Sequence, residues 1–132
     1  IQVKAALDSV NAFHLKDRAS HQLSGGQKRI VAIATVLSMQ PNILVMDEPS
    51  ANLDLKSRKN LINIIKSFTH SCIIATHDLE LALRLSDRLW LMDKKQLHAG
   101  TVQELSQSGA LSSFIDNDGI RYDAHEHRIV IF

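Results

Sequence analysis

With 132 residues, 45% of them apolar and 22% charged, the chain has the balance of one soluble globular domain or a large piece of one. A formal net charge of +1 provides no global basic field, which argues against duplex nucleic acid as a partner. The longest uninterrupted apolar stretches are four or five residues, against roughly 18 to 20 for a bilayer crossing, and no signal peptide opens the chain, so it reads as cytosolic.

In chain order, Val3, Ala6, Leu7, Val10 and Phe13 recur at helical spacing and predict an amphipathic helix over residues 3 to about 14. The chain thus opens inside an element and without an initiator Met, which reads as a truncation. Lys16 to Gln22 is a polar connector. Ser24 stands three before Gln27, the spacing of a capping box, and Ile30, Val31, Ala34 and Leu37 then share one helix face until Pro41 stops the element. The apolar tetrad Ile43-Leu44-Val45-Met46 suits a strand buried on both faces of a parallel sheet. Leu55 to Phe68, with Leu61, Ile62, Ile64 and Ile65, is long enough to cross back over a sheet to Cys72-Ile73-Ile74-Ala75, completing a strand-helix-strand unit. Cys72, the single cysteine, reads as a buried reduced thiol.

Asp78 is placed to cap a short helix carrying Leu79, Leu81, Ala82, Leu83 and Leu85. Leu89 to Met92 and Gln96 to Ala99 read as a hairpin turning through Asp93-Lys94-Lys95. Thr101 and Glu104 form a second capping box, Ser106 to Gly119 is loop-rich, and Arg128 to Phe132 reads as a terminal strand. There is no internal repeat.

Three places carry chemistry. Ser24-Gly25-Gly26 at a helix start offers unhindered N–H groups, a hydroxyl and the positive end of a helix dipole to an anion; an ordinary Gly-rich cap closed by Gln27 explains the same residues. Asp47 and Glu48 end a buried strand, where α/β sheets place ligands, and adjacent carboxylates there can divide the work of phosphoryl transfer; the plainer alternative is an acidic turn before Pro49. His77 ends the second strand, so neighbouring parallel strands would bring it to the same edge as Glu48. Asp54 also suits the N-cap of the helix beginning at Leu55. His125 and His127 share one face of an extended segment, but two ligands without a third seldom make a metal site. The pairs Lys28-Arg29, Arg58-Lys59 and Lys94-Lys95 read as solvated surface charge, and no nucleic-acid stripe emerges.

Taken in order, Leu23-Ser24-Gly25-Gly26-Gln27, Ile43 to Glu48, Ser50-Ala51-Asn52-Leu53-Asp54 and Thr76-His77-Asp78 resemble the signature, Walker B, D-loop and switch-histidine motifs of ABC transporter nucleotide-binding domains, over nearly the whole chain up to about Leu105. The resemblance implies an α/β fold: a partial P-loop NTPase (RecA-like) core with parallel strands and part of the ABC helical subdomain. Residues 1–40 would belong to the helical subdomain, 41–105 to the C-terminal half of the core, and 106–132 to a C-terminal extension. It implies ATP and Mg²⁺, with Asp47 supporting the metal through water, Glu48 as general base on the attacking water and His77 contacting the γ-phosphate. Leu23, Ser24, Gly25, Gly26 and Gln27 would contact ATP held by the opposite subunit, with Ser50 and Asp54 at the dimer seam. The implied partners are a second nucleotide-binding subunit and ABC transmembrane permease subunits, which places the protein in the cytoplasm, peripheral on the inner face of the cell membrane. The tail from Thr101 is similar to the short extension of ATPases serving importers of iron chelates, haem or cobalamin.

The sequence departs from that pattern in two ways. Thr35 stands where relatives carry an arginine, and no G-x-x-x-x-G-K-[ST] phosphate loop occurs in the 132 residues. Family order places that loop, the adenine-stacking aromatic and the Q-loop glutamine before residue 1. The expectation is therefore a signature and Walker B half that turns over no ATP alone. It would also expose an apolar edge along Cys72 to Ala75 that self-associates, swaps an element or awaits an N-terminal complement. Two alternatives stand beside it: a non-catalytic docking module from a split or degenerate gene, and a fragment of an ABC ATPase of DNA repair or translation, which long heptads or basic stripes would favour.

Overall fold

A computed structural model describes residues 2–93 and 96–132. The chain divides between His77 and Asp78 into two compact units. The Lys94-Lys95 part of the expected hairpin turn lies outside the described residues, as does Ile1.

In the first unit, α1 (Gln2–Ser9) ends sooner than its apolar spacing predicts. Asn11 takes a left-handed φ of 55°, its N–H donates to the Asp8 carbonyl and the Ala12 N–H reaches back to Leu7, a Schellman closure that prevents further helix. Phe13–Leu15 then forms one 3₁₀ turn, and Ser20–Gln22 another within the polar connector. α2 (Gly25–Leu37) begins as expected: the Ser24 hydroxyl accepts from the Gln27 N–H while the Gln27 side chain accepts from the Ser24 N–H. It ends where Gln40 turns left-handed, at φ 53°, ahead of Pro41.

β1 (Ile43–Asp47) and β2 (Ser71–Ala75) pair in parallel, Ile43 opposite Ser71 and Asp47 opposite Ala75, with α3 (Leu55–Ser67) between them in sequence. The Asp54 carboxylate caps α3 by accepting from the Ser57 N–H at 2.7 Å. Leu44 and Met46 join Ile30, Ile33, Ala34, Leu61 and Ile64 in one buried cluster, against which Cys72 and Ile74 are half-buried. Leu61 is 0% exposed, and its truncation to Ala would cost about 2–5 kcal/mol. The Asn60 amide donates to the Val10 carbonyl and ties the end of α1 to α3.

One expectation fails here. β1 is not buried on both faces: Val45 is 70% and Ile43 56% exposed, and Ile73, the register partner of Val45, is 47% exposed. The buried cluster takes Leu44 and Met46 from the other side of the strand, and among the described residues nothing covers this side. Cys72, opposite Leu44 on the side that packs against the core, is half-buried rather than buried, and partial desolvation raises its thiol above the ordinary value.

In the second unit, Asp78 caps α4 (Leu79–Leu85) by accepting from the Leu81 N–H. β3 (Leu89–Met92) and β4 (Leu97–Gly100) form the expected antiparallel hairpin. Thr101 and Glu104 close their capping box at the start of α5 (Val102–Gln107). The stretch expected to be loop-rich holds a further helix, α6 (Ala110–Ile115), separated from α5 by Gly109 at φ 77°. Ala110, Leu111 and Ile115 are buried, so packing rather than propensity makes this helix. The terminal strand β6 (Arg128–Ile131) finds an antiparallel partner in β5 (Ile120–Asp123). No described helix is long and apolar enough to cross a membrane.

Candidate functional site

The parallel ladder of the first unit continues one step beyond β1, where the Glu48 N–H donates to the Ala75 carbonyl at 2.8 Å. This extra rung fixes Glu48 beside the end of β2 and hence beside Thr76 and His77. The Glu48 Oε1 accepts from the His77 N–H at 2.8 Å and lies 2.8 Å from His77 Nδ1, while Oε2 accepts from the Thr76 hydroxyl at 3.2 Å. Partial desolvation pulls the Glu48 carboxyl up, but the bonds from His77 and Thr76 outweigh it and hold the carboxyl below its ordinary value. The His77 side chain remains 85% exposed, so one face of this cluster is open to a ligand.

Asp47 differs from its neighbour. Its side chain lies on the exposed face of β1 and makes no hydrogen bond or ion pair among the described residues. No group of three or more His, Cys, Asp or Glu that could hold a metal ion occurs among the described residues. A single free carboxylate at the carboxyl edge of the strands fits Mg²⁺, which keeps most of its waters and takes one or two carboxylates plus substrate phosphate.

The signature-like turn is built differently at each position. Leu23 is buried in the core cluster, whereas Ser24 is exposed and committed to capping. A Cβ on Gly25 would meet nothing within 4 Å, but one on Gly26 would come 2.7 Å from the Ser57 hydroxyl oxygen and 3.6 Å from Leu53. The second glycine therefore lets the start of α2 dock against the start of α3, and the first leaves open surface. Asp54 is held below the ordinary carboxylate range by the Ser57 backbone bond first. Ser50 accepts the Leu53 N–H on its carbonyl within the turn that leads there.

The structure thus brings Glu48, Thr76 and His77 into contact, and Gly26 against the Asp54-capped helix. Arg29, expected to be solvated surface charge, donates from Nη1 to the Glu48 carbonyl at 3.0 Å. No pattern in the sequence signals this, since the partners lie 19 residues apart and meet only when α2 packs on the sheet. In the tail, His127 Nδ1 lies 2.6 Å from the Tyr122 hydroxyl, and the His125 backbone N–H donates to the Asp123 carboxylate.

A parallel strand-helix-strand unit with acidic residues at its carboxyl edge, beside a capped glycine-rich helix start, is an α/β arrangement of the P-loop NTPase fold class. Residues 10–84 match the family model described as "AAA domain, putative AbiEii toxin, Type IV TA system". An ABC transporter ATP-binding protein of Methanocaldococcus jannaschii is 43% identical over 102 residues, covering 75% of this chain and 36% of that protein. The cobalt import ATP-binding protein CbiO of Rhodobacter capsulatus is 42% identical over 93 residues, covering 68% of this chain and 33% of its own. Among solved structures, cbiO1 of Clostridium perfringens, part of the ABC transporter complex cbiONQ, superposes with a TM-score of 0.70 at 33% identity, over 83% of this chain and 48% of that one. The chain belongs to this AAA-domain family, and its relatives are ATP-binding proteins of ABC transporters. It spans about a third of the length of the curated relatives it matches.

Proposed function

We propose that the chain is the signature and Walker B half of an ABC transporter ATPase subunit of the importer type, and that it acts only with a phosphate-loop half or partner subunit. The observation that carries this reading is the Glu48 carboxylate seated on Thr76 and His77 at the carboxyl edge of two parallel strands. ATP would lie along that edge. Glu48, ionised at neutral pH as a carboxylate ordinarily is, accepts a proton from the attacking water as general base, a role worth typically ~10²–10⁴-fold in rate. His77, exposed beside it, contacts the γ-phosphate and orients that water. Asp47 would hold Mg²⁺ through water, and the ion when bound would neutralise phosphate charge.

Ser24, Gly25, Gly26 and Gln27, with Leu23 anchoring them in the core, present the α2 N-terminus to ATP bound by a second nucleotide-binding subunit, with Ser50 and Asp54 at the seam between subunits. The open space around Gly25 supports that assignment. Residues 1–40 then form part of the helical subdomain, 41–105 the C-terminal half of the core and 106–132 an extension. Transmembrane permease subunits complete the assembly and hold it on the cytoplasmic face of the membrane. The importer direction draws on the cobalt-import relative.

The test is steady-state ATP hydrolysis by the chain alone and after joining to a segment carrying G-x-x-x-x-G-K-[ST]. Turnover that appears only in the joined protein and is lost in Glu48→Gln supports the proposal, whereas steady turnover by the pure chain alone that Glu48→Gln abolishes, or turnover of the joined protein that survives Glu48→Gln, overturns it. A non-catalytic docking module is the second reading, favoured by the exposed Ile43, Val45 and Ile73. Its mark would be nucleotide-dependent binding to an intact ATPase with no turnover from the joined protein.

A further inference from the structure

Glu48 carries a φ of 43°, a left-handed backbone that a long L side chain seldom adopts. Its main chain is held from three directions. The N–H is spent on Ala75, and the carbonyl accepts both the Ala51 N–H at 3.2 Å and the Arg29 guanidinium at 3.0 Å. With the nitrogen fixed in the ladder, anchoring the carbonyl at its far end restrains φ, the rotation about N–Cα that sets where Cβ and the carboxylate point. Arg29 lies in the second turn of α2, whose first turn carries Gly25, Gly26 and Gln27. One rigid helical turn and one hydrogen bond therefore connect the glycine turn to the backbone of Glu48. A planar guanidinium suits this task, because it offers a fixed fork of donors on a partly buried stem where an ammonium is a mobile point charge.

We propose that Arg29 is a positioning residue: its bond to the Glu48 carbonyl holds the left-handed main chain that seats the carboxylate on Thr76 and His77, and so couples the glycine turn of α2 to that carboxylate. The consequence for turnover rests on the reading of Glu48 as general base; the geometric claim does not. Displacement of the α2 start by a ligand would be transmitted through Arg29 to the aim of Glu48, within one chain and without a moving loop.

Amide hydrogen exchange on the full chain, followed by NMR, reads this directly, because the His77 N–H has the Glu48 carboxylate as its acceptor. In Arg29→Met the His77 amide is expected to exchange about three- to tenfold faster, the loss of roughly one net hydrogen bond, while the paired amides of β1 and β2 keep their wild-type rates. Arg29→Lys, which keeps the charge and the stem, is expected to fold and to lie between the two. Wild-type exchange at His77 in both variants overturns the proposal. A uniform acceleration of every strand amide also overturns it, since Arg29 would then be general packing. Either result leaves the ATPase reading untouched, because that is decided separately by Glu48→Gln in the joined protein.

Discussion

Glycines 25 and 26 are adjacent and chemically identical, yet their surroundings give them separate tasks. The Gly26 Cα faces Ser57 and Leu53 at a distance that admits no further carbon, whereas Gly25 faces open space. Gly26→Val is therefore expected to lower stability by about 1–3 kcal/mol, visible as a drop in Tm. Gly25→Ala should leave Tm unchanged or slightly raised, since alanine is the better helix former by up to ~1 kcal/mol. A comparable loss of Tm in both variants would contradict the packing described. In the joined ATPase, Gly25→Ala would be felt instead as weaker coupling to nucleotide.

Among the elements, side-chain caps set how α2, α3, α4 and α5 begin. Ser24→Ala removes the hydroxyl that satisfies the Gln27 N–H and should cost about 1 kcal/mol, read from chemical denaturation. Asp54, Glu104 and Asp123 each titrate below their ordinary range, held first by backbone N–H groups of Ser57, Thr101 and Glu126 respectively. A carboxyl whose folded pKa is depressed binds fewer protons folded than unfolded. Its contribution is therefore full above the unfolded value and is lost as pH falls through the folded value. Thermal melts should accordingly show constant stability from pH 7 to about 5 and a decline below about 4, and Asp54→Asn should flatten that decline. The capping spacings at Ser24 and Thr101 were readable because a cap is a local bargain between residues three apart. The helix Ala110–Ile115 was not, because its six residues hold together only through the burial of Ala110, Leu111 and Ile115.

For the molecule as a whole, the open apolar side of β1 and β2 dominates. Val45 and Ile73 sit opposite each other in register, both exposed, with Ile43 alongside. Such a face next to free strand edges is a template for association. Sedimentation velocity is expected to show concentration-dependent self-association of the isolated chain, and Val45→Lys combined with Ile73→Lys is expected to shift it toward monomer. Equal sedimentation of the wild type and the double variant across concentration would show that this face drives no association.

Short spacings along the chain dictate the capping boxes, the apolar runs of β1 and β2, the crossover helix between them, and the order of Gly25, Asp47, Glu48 and His77. Periodicity and capping act over three or four residues, so they can be read directly from the chain. Long-range packing settled which side of β1 meets a core, that Glu48 takes a left-handed backbone against Thr76 and His77, that Gly26 is a packing glycine, and that Arg29 reaches the Glu48 carbonyl. Each of these is a contact between residues distant in sequence, fixed by where α2, α3 and the two strands pack, and such contacts leave no periodic trace along the chain.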